Sequence, residues 1–246
     1  KKEKVTIYTD YNGTVDTWQY YENQEMARLE KDENEDGDID LRAFYDAGEK
    51  QKMIKDADHD GRFETTQWFN RPDWSMVMER DANADGKIEA RYCYRDGVLR
   101  KKAIDENSDG RIDFREFYDD AEKLVKAVEY ANQPDQSDLV WYYDAEQNPI
   151  RAERDQNGDG AVDIWFYYAD GAIEKVEEDT NADGNPDIWE TYDDSGAIIR
   201  REKDLDYDGK ADVVKDNNEN QSADQAESNP PAQDINSNRG NHLEEK

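Results

Sequence analysis

The feature that most constrains this chain is an internally repeated, acidic nine-residue loop. The string Asp-x-Asn/Asp-x-Asp-Gly-x-x-Asp/Glu occurs seven times, beginning at Asp32, Asp56, Asp81, Asp105, Asp155, Asp179 and Asp204. Successive copies start 24, 25, 24, 50, 24 and 25 residues apart. A degenerate copy from Tyr130 falls at the expected phase inside the gap of 50, and another from Tyr8 precedes the first intact loop by one period. Such a fixed period indicates a tandem array of about nine structural units.

The residues between the loops predict one β-hairpin per unit. Each loop leads into a run rich in aromatic and β-branched residues, such as residues 163–168, which composition favours as a strand. Turn signals follow at Asp46-Ala-Gly48, Arg95-Asp-Gly97, Ala169-Asp-Gly171 and Asp194-Ser-Gly196, where Asp-Gly and related pairs supply positive φ. The second runs are less distinct, and residues 122–129 alone are equally typical of a helix. Length decides for strands, because 24–25 residues are too few for a helix–loop–helix unit.

The predicted fold is therefore all-β. We expect about seventeen strands in a meander or solenoid-like array of about nine hairpin units over residues 1–215, joined by calcium-binding loops. Residues 216–246 contain no aromatic residue and include Pro230-Pro231. This polar composition cannot bury enough apolar surface to offset the entropy of ordering, so it predicts a disordered tail.

The loops have the chemistry of calcium sites. Ca²⁺ takes six to eight oxygen ligands, and EF-type loops supply them from positions 1, 3, 5, 7 and 9, with glycine at position 6 for the turn. Position 7 contributes its backbone carbonyl. In this chain the predicted ligands of the first four loops are Asp32, Asn34, Asp36, Asp38 and Asp40; Asp56, Asp58, Asp60, Arg62 and Glu64; Asp81, Asn83, Asp85, Lys87 and Glu89; and Asp105, Asn107, Asp109, Arg111 and Asp113. Those of the last three are Asp155, Asn157, Asp159, Ala161 and Asp163; Asp179, Asn181, Asp183, Asn185 and Asp187; and Asp204, Asp206, Asp208, Lys210 and Asp212.

Position 12, a bidentate glutamate in EF-hands, differs here. It is occupied by Ala43, Gln67, Tyr92, Glu116, Phe166, Glu190 and Lys215 in order. We expect the acid at position 9 to take the larger share of coordination, with water completing the sphere. Fewer protein ligands predict weak affinity, about 10⁻⁴–10⁻³ M, which is typical of extracellular modules. Such sites stay empty at cytosolic calcium levels, so the loops indicate an extracellular, cell-surface or periplasmic location.

Charge agrees with this interpretation. The chain has 63 acidic and 32 basic residues and a formal net charge of −31, a field that repels nucleic acid. The Asp56 and Asp204 loops each carry four acids at side-chain ligand positions and the other five carry three, which accounts for 23 of the 63 acids. Seven Ca²⁺ ions reduce the formal charge from −31 to −17. No apolar run approaches the roughly 18 residues of a membrane span.

These loops resemble those of EF-hand-like calcium repeats with the Asp-x-Asp-x-Asp-Gly motif, including thrombospondin type 3 repeats and dockerins. The array is also similar to bacterial secreted repeat proteins whose loops alternate with Tyr-Asp hairpins, seen here at Tyr45-Asp46, Tyr118-Asp119, Tyr143-Asp144 and Tyr192-Asp193. The resemblance covers residues 8–215. It implies calcium-dependent structure at the cell exterior and no reaction.

Other residues leave alternatives open. Aromatic residues recur at the same positions of successive units. They could form a carbohydrate-binding platform or a cross-strand stacking ladder, and we expect the ladder. Lysine and arginine recur four residues before most loops, which we interpret as a structural charge row. We expect His59 to face solvent, Cys93 to be a buried small residue, and the degenerate loop at Tyr130 to be a plain connector. No catalytic constellation is apparent, so an enzyme is not expected.

The functional hypotheses are therefore three. The first is a structural or interaction protein rigidified by about seven Ca²⁺ ions, with a cell-surface protein, a polysaccharide or self-assembly as candidate partners. The second is a calcium-dependent module that binds carbohydrate or another surface polymer. The third is a low-affinity calcium buffer.

Overall fold

The computed structural model of this protein describes residues 2–9, 13–130 and 136–217. Every helix or strand in that part is a β-strand, and the strands form successive antiparallel hairpins, so the all-β prediction is confirmed. Among the described residues no helix is long and apolar enough to cross a membrane. The predicted disordered tail, apart from Asp216 and Asn217, lies outside the described residues, as do residues 10–12 and 131–135 of the two degenerate loops.

The strands fall into two compact units, one ending at Gln147 and the other beginning at Asn148. Strands of the first unit are β1 (Lys2–Ile7), β2 (Thr17–Glu22), β3 (Glu25–Lys31), β4 (Leu41–Asp46), β5 (Glu49–Lys55), β6 (Thr65–Phe69), β7 (Met76–Arg80), β8 (Ala90–Arg95), β9 (Val98–Ile104), β10 (Phe114–Tyr118), β11 (Leu124–Glu129) and β12 (Leu139–Tyr143). Strands of the second unit are β13 (Pro149–Arg154), β14 (Ile164–Ala169), β15 (Ala172–Glu178), β16 (Ile188–Tyr192), β17 (Ile198–Lys203) and β18 (Val213–Asp216). The described strands number eighteen, one more than expected, because the residues before the first loop also form a strand.

Within each unit every strand pairs antiparallel with the next one in sequence. The helix-like segment 122–129 is part of this pattern, since β11 pairs with both β10 and β12. The meander is the arrangement that short loops between antiparallel neighbours favour. It brings all the acidic loops to the connections that lead from the second strand of one hairpin to the first strand of the next.

Most of the turns have the predicted chemistry. Ala47 and Gly48 have φ of 48° and 79°, and Asp96 and Gly97 have φ of 54° and 84°, as two-residue type I′ hairpins require. Six of the described hairpins also show a register shift beside the turn, for example between Tyr167 and Tyr168. Such bulges increase strand twist.

One face of each unit is apolar and buried. In β14 the side chains of Ile164, Phe166 and Tyr168 are 1%, 0% and 7% exposed, whereas those between them are partly exposed. In the first unit Phe114 on β10 and Trp141 on β12 are 2% and 1% exposed. This alternation is the two-residue period of a half-buried strand. Each such side chain contributes about 1.5–3 kcal/mol by leaving water, so these residues hold the hairpins that carry the loops.

The opposite face carries a row of alternating cationic and aromatic side chains, here named the cation–aromatic row. In the first unit its cross-strand neighbours are, in order, Lys4, Tyr20, Arg28, Phe44, Lys52, Trp68, Val77, Cys93, Lys101, Phe117, Lys126 and Tyr142. In the second unit Arg151, Tyr167 and Lys175 continue the same alternation. The Arg28 guanidinium lies 4.2 Å from the Tyr20 ring centroid, and the Lys52 ammonium lies 4.5 Å from that of Trp68.

The expected stacking of aromatic on aromatic is wrong: Trp165 and Trp189, two aromatic residues of equal phase, both pair with Glu177 on the strand between them. Aromatic residues of equal phase lie on strands that are separated by the second strand of a hairpin, at about twice the 4.8 Å strand spacing. In the cation–aromatic row the intervening position is occupied by the basic residue that recurs before most loops, as Arg28 is between Tyr20 and Phe44. Those basic residues also pair with an acid two positions on, as Arg28 does with Glu30 at 3.4 Å and Arg151 with Glu153 at 2.7 Å. In the structure the partners of this charge row are aromatic rings and strand glutamates.

Candidate metal centre

The acid at position 1 organises each loop. It lies at the end of the second strand of a hairpin and is buried in most loops, with Asp56 and Asp105 each 2% exposed. Its two oxygens accept hydrogen bonds from backbone N–H groups of positions 3 to 6. In the Asp56 loop these come from Asp60 at 3.2 Å and Gly61 at 2.8 Å. The Gly61 bond has a counterpart from the position 6 glycine in all seven loops.

Positions 3 and 5 continue the coil. The position 5 carboxylate accepts the N–H of position 7 in every intact loop, at 2.8–3.0 Å. The position 3 oxygen accepts the N–H of position 5, for example from Asp85 to Asn83 at 2.8 Å. These bonds order the side chains at positions 3 and 5 within the coil of the loop. That the position 7 carbonyl also acts as a ligand stays a prediction.

The acid at position 9 closes the loop. One of its oxygens accepts the N–H of position 2, as Glu64 does from Ala57 at 2.6 Å and Asp163 does from Gln156 at 2.7 Å. Its backbone carbonyl accepts the N–H of position 1 of the following loop, as from Asp56 to Asp40 at 2.7 Å. Consecutive loops are therefore joined by main-chain hydrogen bonds, a link that the sequence pattern did not reveal.

Three loops bring carboxylates together as a metal requires. The oxygens of Asp56, Asp58 and Glu64 lie within 4.8 Å of one another, and so do those of two further sets, namely Asp81, Asp85 and Glu89, and Asp204, Asp206 and Asp212. Each set joins positions 1 and 9 with position 3 or 5. That position 9 takes the larger share of coordination stays a prediction. All-oxygen carboxylate sets suit hard divalent cations.

Repulsion within such a set is visible in its acid–base properties. The negative charge of Asp212, followed by burial and by the charges of Asp208 and Asp204, raises the pKa of Asp206. A divalent cation at the centre removes this repulsion. These residues therefore fit a bound cation.

The other four loops have asparagine at position 3, and the amide nitrogen of that residue takes part in the hydrogen bonding of the loop. In each, the amide nitrogen of the position 3 asparagine donates to a carboxylate of the same loop. The bonds run from Asn34 to Asp36, Asn107 to Asp113, Asn157 to Asp163 and Asn181 to Asp183, at 2.8, 3.5, 3.1 and 3.2 Å. In these loops the amide N–H₂ occupies the place where a third acid converges in the Asp56 and Asp204 loops. In these four loops the hydrogen bonds order the backbone, but the predicted ligand oxygens converge less than in the three carboxylate clusters.

The two glutamates at position 12 contact residues of the sheet. Glu190, 2% exposed, accepts from the Arg201 Nε at 2.6 Å and from the Tyr192 hydroxyl at 2.5 Å. Glu116 accepts from the Tyr118 hydroxyl at 2.7 Å and lies 3.3 Å from the Lys102 ammonium. Neither belongs to a carboxylate cluster of the loops. The strand that follows each of these loops therefore directs its position 12 glutamate toward neighbouring strand residues.

Two single residues can also be placed. His59 is exposed, as predicted, and its Nδ1 also lies 3.1 Å from Asp40 of the preceding loop. That hydrogen bond raises the pKa of His59. Cys93 is 6% exposed, and burial raises the pKa of its thiol, so the prediction of a buried small residue is confirmed.

The loop backbone has a property that sequence reasoning missed. Position 4 adopts positive φ in every intact loop, as in Ala84 at 57° and Tyr207 at 60°, in addition to the glycine at position 6. Only the Asp155 loop has a glycine at this position, Gly158, and that single residue was the available signal. Six of the seven loops thus hold a non-glycine residue in a conformation that costs about 1–2 kcal/mol. The acid at position 1 offsets this cost through its hydrogen bonds.

The degenerate loops keep part of this scheme. Asp16 is 4% exposed and accepts from the Thr9 N–H at 2.6 Å, which is the closing contact of position 9. Tyr130 donates its N–H to the carbonyl of Asp113 and so preserves the link between loops. Because residues 10–12 and 131–135 lie outside the described part, metal binding by these two loops stays untested.

Comparison with known proteins adds little to this description. No protein-family model and no curated protein matches the chain. Among solved structures it is similar to a mutant of TarM from S. aureus, determined with Fondaparinux, α-GlcNAc-glycerol and UDP, with a TM-score of 0.16 and 12% identity over 60% of this chain. A second TarM structure gives a TM-score of 0.14 and 13% identity over 57% of this chain. The chain spans about a fifth of the length of those proteins, at 21% and 19%, and so weak a likeness carries no argument about function.

Proposed function

We propose that this chain is a calcium-binding structural or interaction repeat protein of the cell exterior, in which about seven Ca²⁺ ions rigidify the loops between β-hairpins. The observation that carries the proposal is the common architecture of the seven loops. In each, carboxylate or amide oxygens at positions 1, 3 and 5 are oriented by backbone hydrogen bonds, and in three the carboxylates already approach within 4.8 Å.

Cation binding in this proposal is coupled to stability between neighbouring units. Asp56 and Asp204 are buried and lie next to further acids, so the metal-free loops retain like-charge repulsion. A cation relieves that repulsion only when the loop is folded. Because the position 9 carbonyl of one loop holds position 1 of the next, ordering one loop supports its neighbour, as in other repeat arrays whose stability is a sum over units and interfaces.

The test is thermal unfolding followed by circular dichroism, in calcium and in a chelator. The proposal expects a large fall in melting temperature on chelation, full recovery with Ca²⁺, and a smaller effect of Mg²⁺, which demands six ligands at near-ideal octahedral geometry. Identical melting in calcium and chelator refutes it. Dissociation constants near 10⁻⁷ M, typical of cytosolic sensors, contradict the weak extracellular sites that the proposal requires.

A further inference from the structure

The connection between β6 and β7 departs from the repeat. It has six residues, Asn70–Ser75, whereas the other hairpin connections in the described strands have two or five. The Asn70 N–H donates to the carbonyl of Ser75 at 3.0 Å, and the Ser75 N–H donates to that of Tyr94 at 2.9 Å. Arg95 on β8 lies 5.2 Å from the ring centroid of Trp74. The connection is therefore held against the end of β8.

The cation–aromatic row is interrupted beside this connection. On β7 and β8 the row positions are occupied by Val77 and Cys93 in place of a cation and an aromatic residue. In the adjacent row of the same face, Ala103 on β9 is also small. These short side chains leave an open cleft of about 490 Å³, bordered by Trp68 and Trp74. Its volume is in the range of small-molecule sites.

The cleft is cationic in a strongly acidic protein. Four basic side chains line it, those of Arg71, Arg91, Lys101 and Arg115, against one acid, Glu79. The acid is already engaged, because it lies 2.6 Å from an Arg91 Nη2 and accepts from the Trp68 indole at 2.9 Å. The residues that line the cleft thus carry more positive than negative charge, although the chain as a whole carries −31.

Two of these cations are suited to a ligand. Arg71 lies 4.5 Å from the Trp68 ring centroid and Lys101 lies 5.6 Å from that of Phe117, and among the described residues neither forms an ion pair. Burial, and then the charge of Arg115, lower the pKa of Lys101. An anion beside the Lys101 ammonium offsets both effects.

We propose that this cleft binds an acidic saccharide, a sugar that carries a carboxylate or a sulfate group. The acidic group pairs with Lys101 and Arg71, through charge-assisted hydrogen bonds that are stronger than neutral ones. The sugar ring lies against the indole of Trp74, since the negative face of an aromatic ring attracts polarised C–H groups. The site is independent of the calcium proposal, because its cations and indoles belong to the strand face and to the β6–β7 connection.

The experiment titrates the full chain, in calcium and at physiological ionic strength, with three oligosaccharides of equal length: a uronate, a sulfated sugar and a neutral sugar. Calorimetry and tryptophan fluorescence report binding. We expect at least one acidic sugar to bind tenfold or more tightly than the neutral one, and the comparison of the two acids identifies the preferred group. K101Q and R71Q are each expected to weaken the binding of that acidic sugar about tenfold. W74A is expected to weaken the binding of every acidic sugar that binds.

K126Q is the matched control. Lys126 occupies the same row and also contacts the Phe117 ring, at 6.0 Å against 5.6 Å for Lys101, but it lies outside the cleft. It is expected to change the affinity less than twofold, and circular dichroism verifies that the variants fold. If calcium instead bridges the acidic sugar to the loops, K101Q and K126Q change the affinity to the same extent. Equal effects of the two, equal affinity for the neutral sugar, equally effective competition by inorganic sulfate, or no binding at millimolar concentration overturn the proposal.

Discussion

Replacing Asp56 by asparagine tests whether the position 1 acid organises its loop through the backbone. The two carboxylate oxygens of Asp56 accept from different N–H groups, Asp60 at 3.2 Å and Gly61 at 2.8 Å, and the residue is 2% exposed. Asparagine has the same shape but one oxygen, so one N–H loses its acceptor and faces an amide N–H₂. A buried N–H without a partner costs about 1–3 kcal/mol.

The matched control is Asp58→Asn, the same chemical change two residues further along the loop. Asp58 is exposed, accepts a single bond of 3.3 Å from Asp60, and corresponds to an asparagine in five of the seven loops. In chelator we therefore expect almost no loss of stability from D58N. In calcium it should weaken binding at this loop, because it removes one charge from the cluster of Asp56, Asp58 and Glu64.

Urea unfolding of both variants in chelator, followed by tryptophan fluorescence, measures the difference. Trp68 lies on the strand that follows this loop and reports locally. With a urea m value of about 2 kcal/mol/M, D56N should lower the midpoint by roughly 0.5–1.5 M. Equal midpoints for D56N and D58N in chelator refute the role assigned to position 1.

Three further predictions concern other parts of the array. Gly184→Ala should cost about 1–2 kcal/mol in thermal melts although no atom lies within 4 Å of the added methyl group, because φ is +89°; Ala84→Gly, at φ 57°, should cost nothing or stabilise, and the reverse order contradicts the backbone account. Glu190→Gln should destabilise the second unit by about 1–3 kcal/mol through its contacts with Arg201 and Tyr192, while calorimetry finds the number of bound ions unchanged; a lost ion shows that position 12 is a ligand after all. Burial raises the pKa of the Cys93 thiol, so an aromatic disulfide reagent at pH 8 should react with the folded chain far more slowly than with the chain in urea, and comparable rates disprove its burial.

The hairpin array could be predicted because its signals are local and repeated. Period, turn dipeptides such as Asp96-Gly97 and alternation in segments such as residues 163–168 specify the strands without reference to distant contacts. The ambiguous segment 122–129 became β11 because both neighbouring strands offer it ladder hydrogen bonds, which override its helical propensity.

Pairing across strands could not be read from composition. The identity of cross-strand neighbours depends on register. Register placed Glu177 between Trp165 and Trp189, two aromatic residues of equal phase that had been expected to stack. For the same reason His59 meets Asp40: the two are 19 residues apart in sequence, and stacking of adjacent loops brings them together. The cleft beside Val77 and Cys93 arises because these two cross-strand neighbours both have small side chains.

The loops were predicted by chemistry, but their differences depend on single atoms. In the repeat motif, asparagine and aspartate at position 3 are interchangeable, because each can supply an oxygen ligand. In the structure the amide nitrogen of Asn157 donates to Asp163, whereas Asp58 and Asp206 join carboxylate clusters. The Asp56 and Asp204 loops should therefore bind calcium more tightly than the loops with asparagine at position 3, apart from the Asp81 loop, whose acids also converge.

The measurement that tests the central claim most directly is the number of calcium ions bound per chain. Protein freed of metal by chelation is dialysed against millimolar calcium, and bound metal is determined against protein concentration. Seven intact loops predict close to seven ions, with D56N and D58N weakening one of them. A chain that binds no calcium under these conditions contradicts the account.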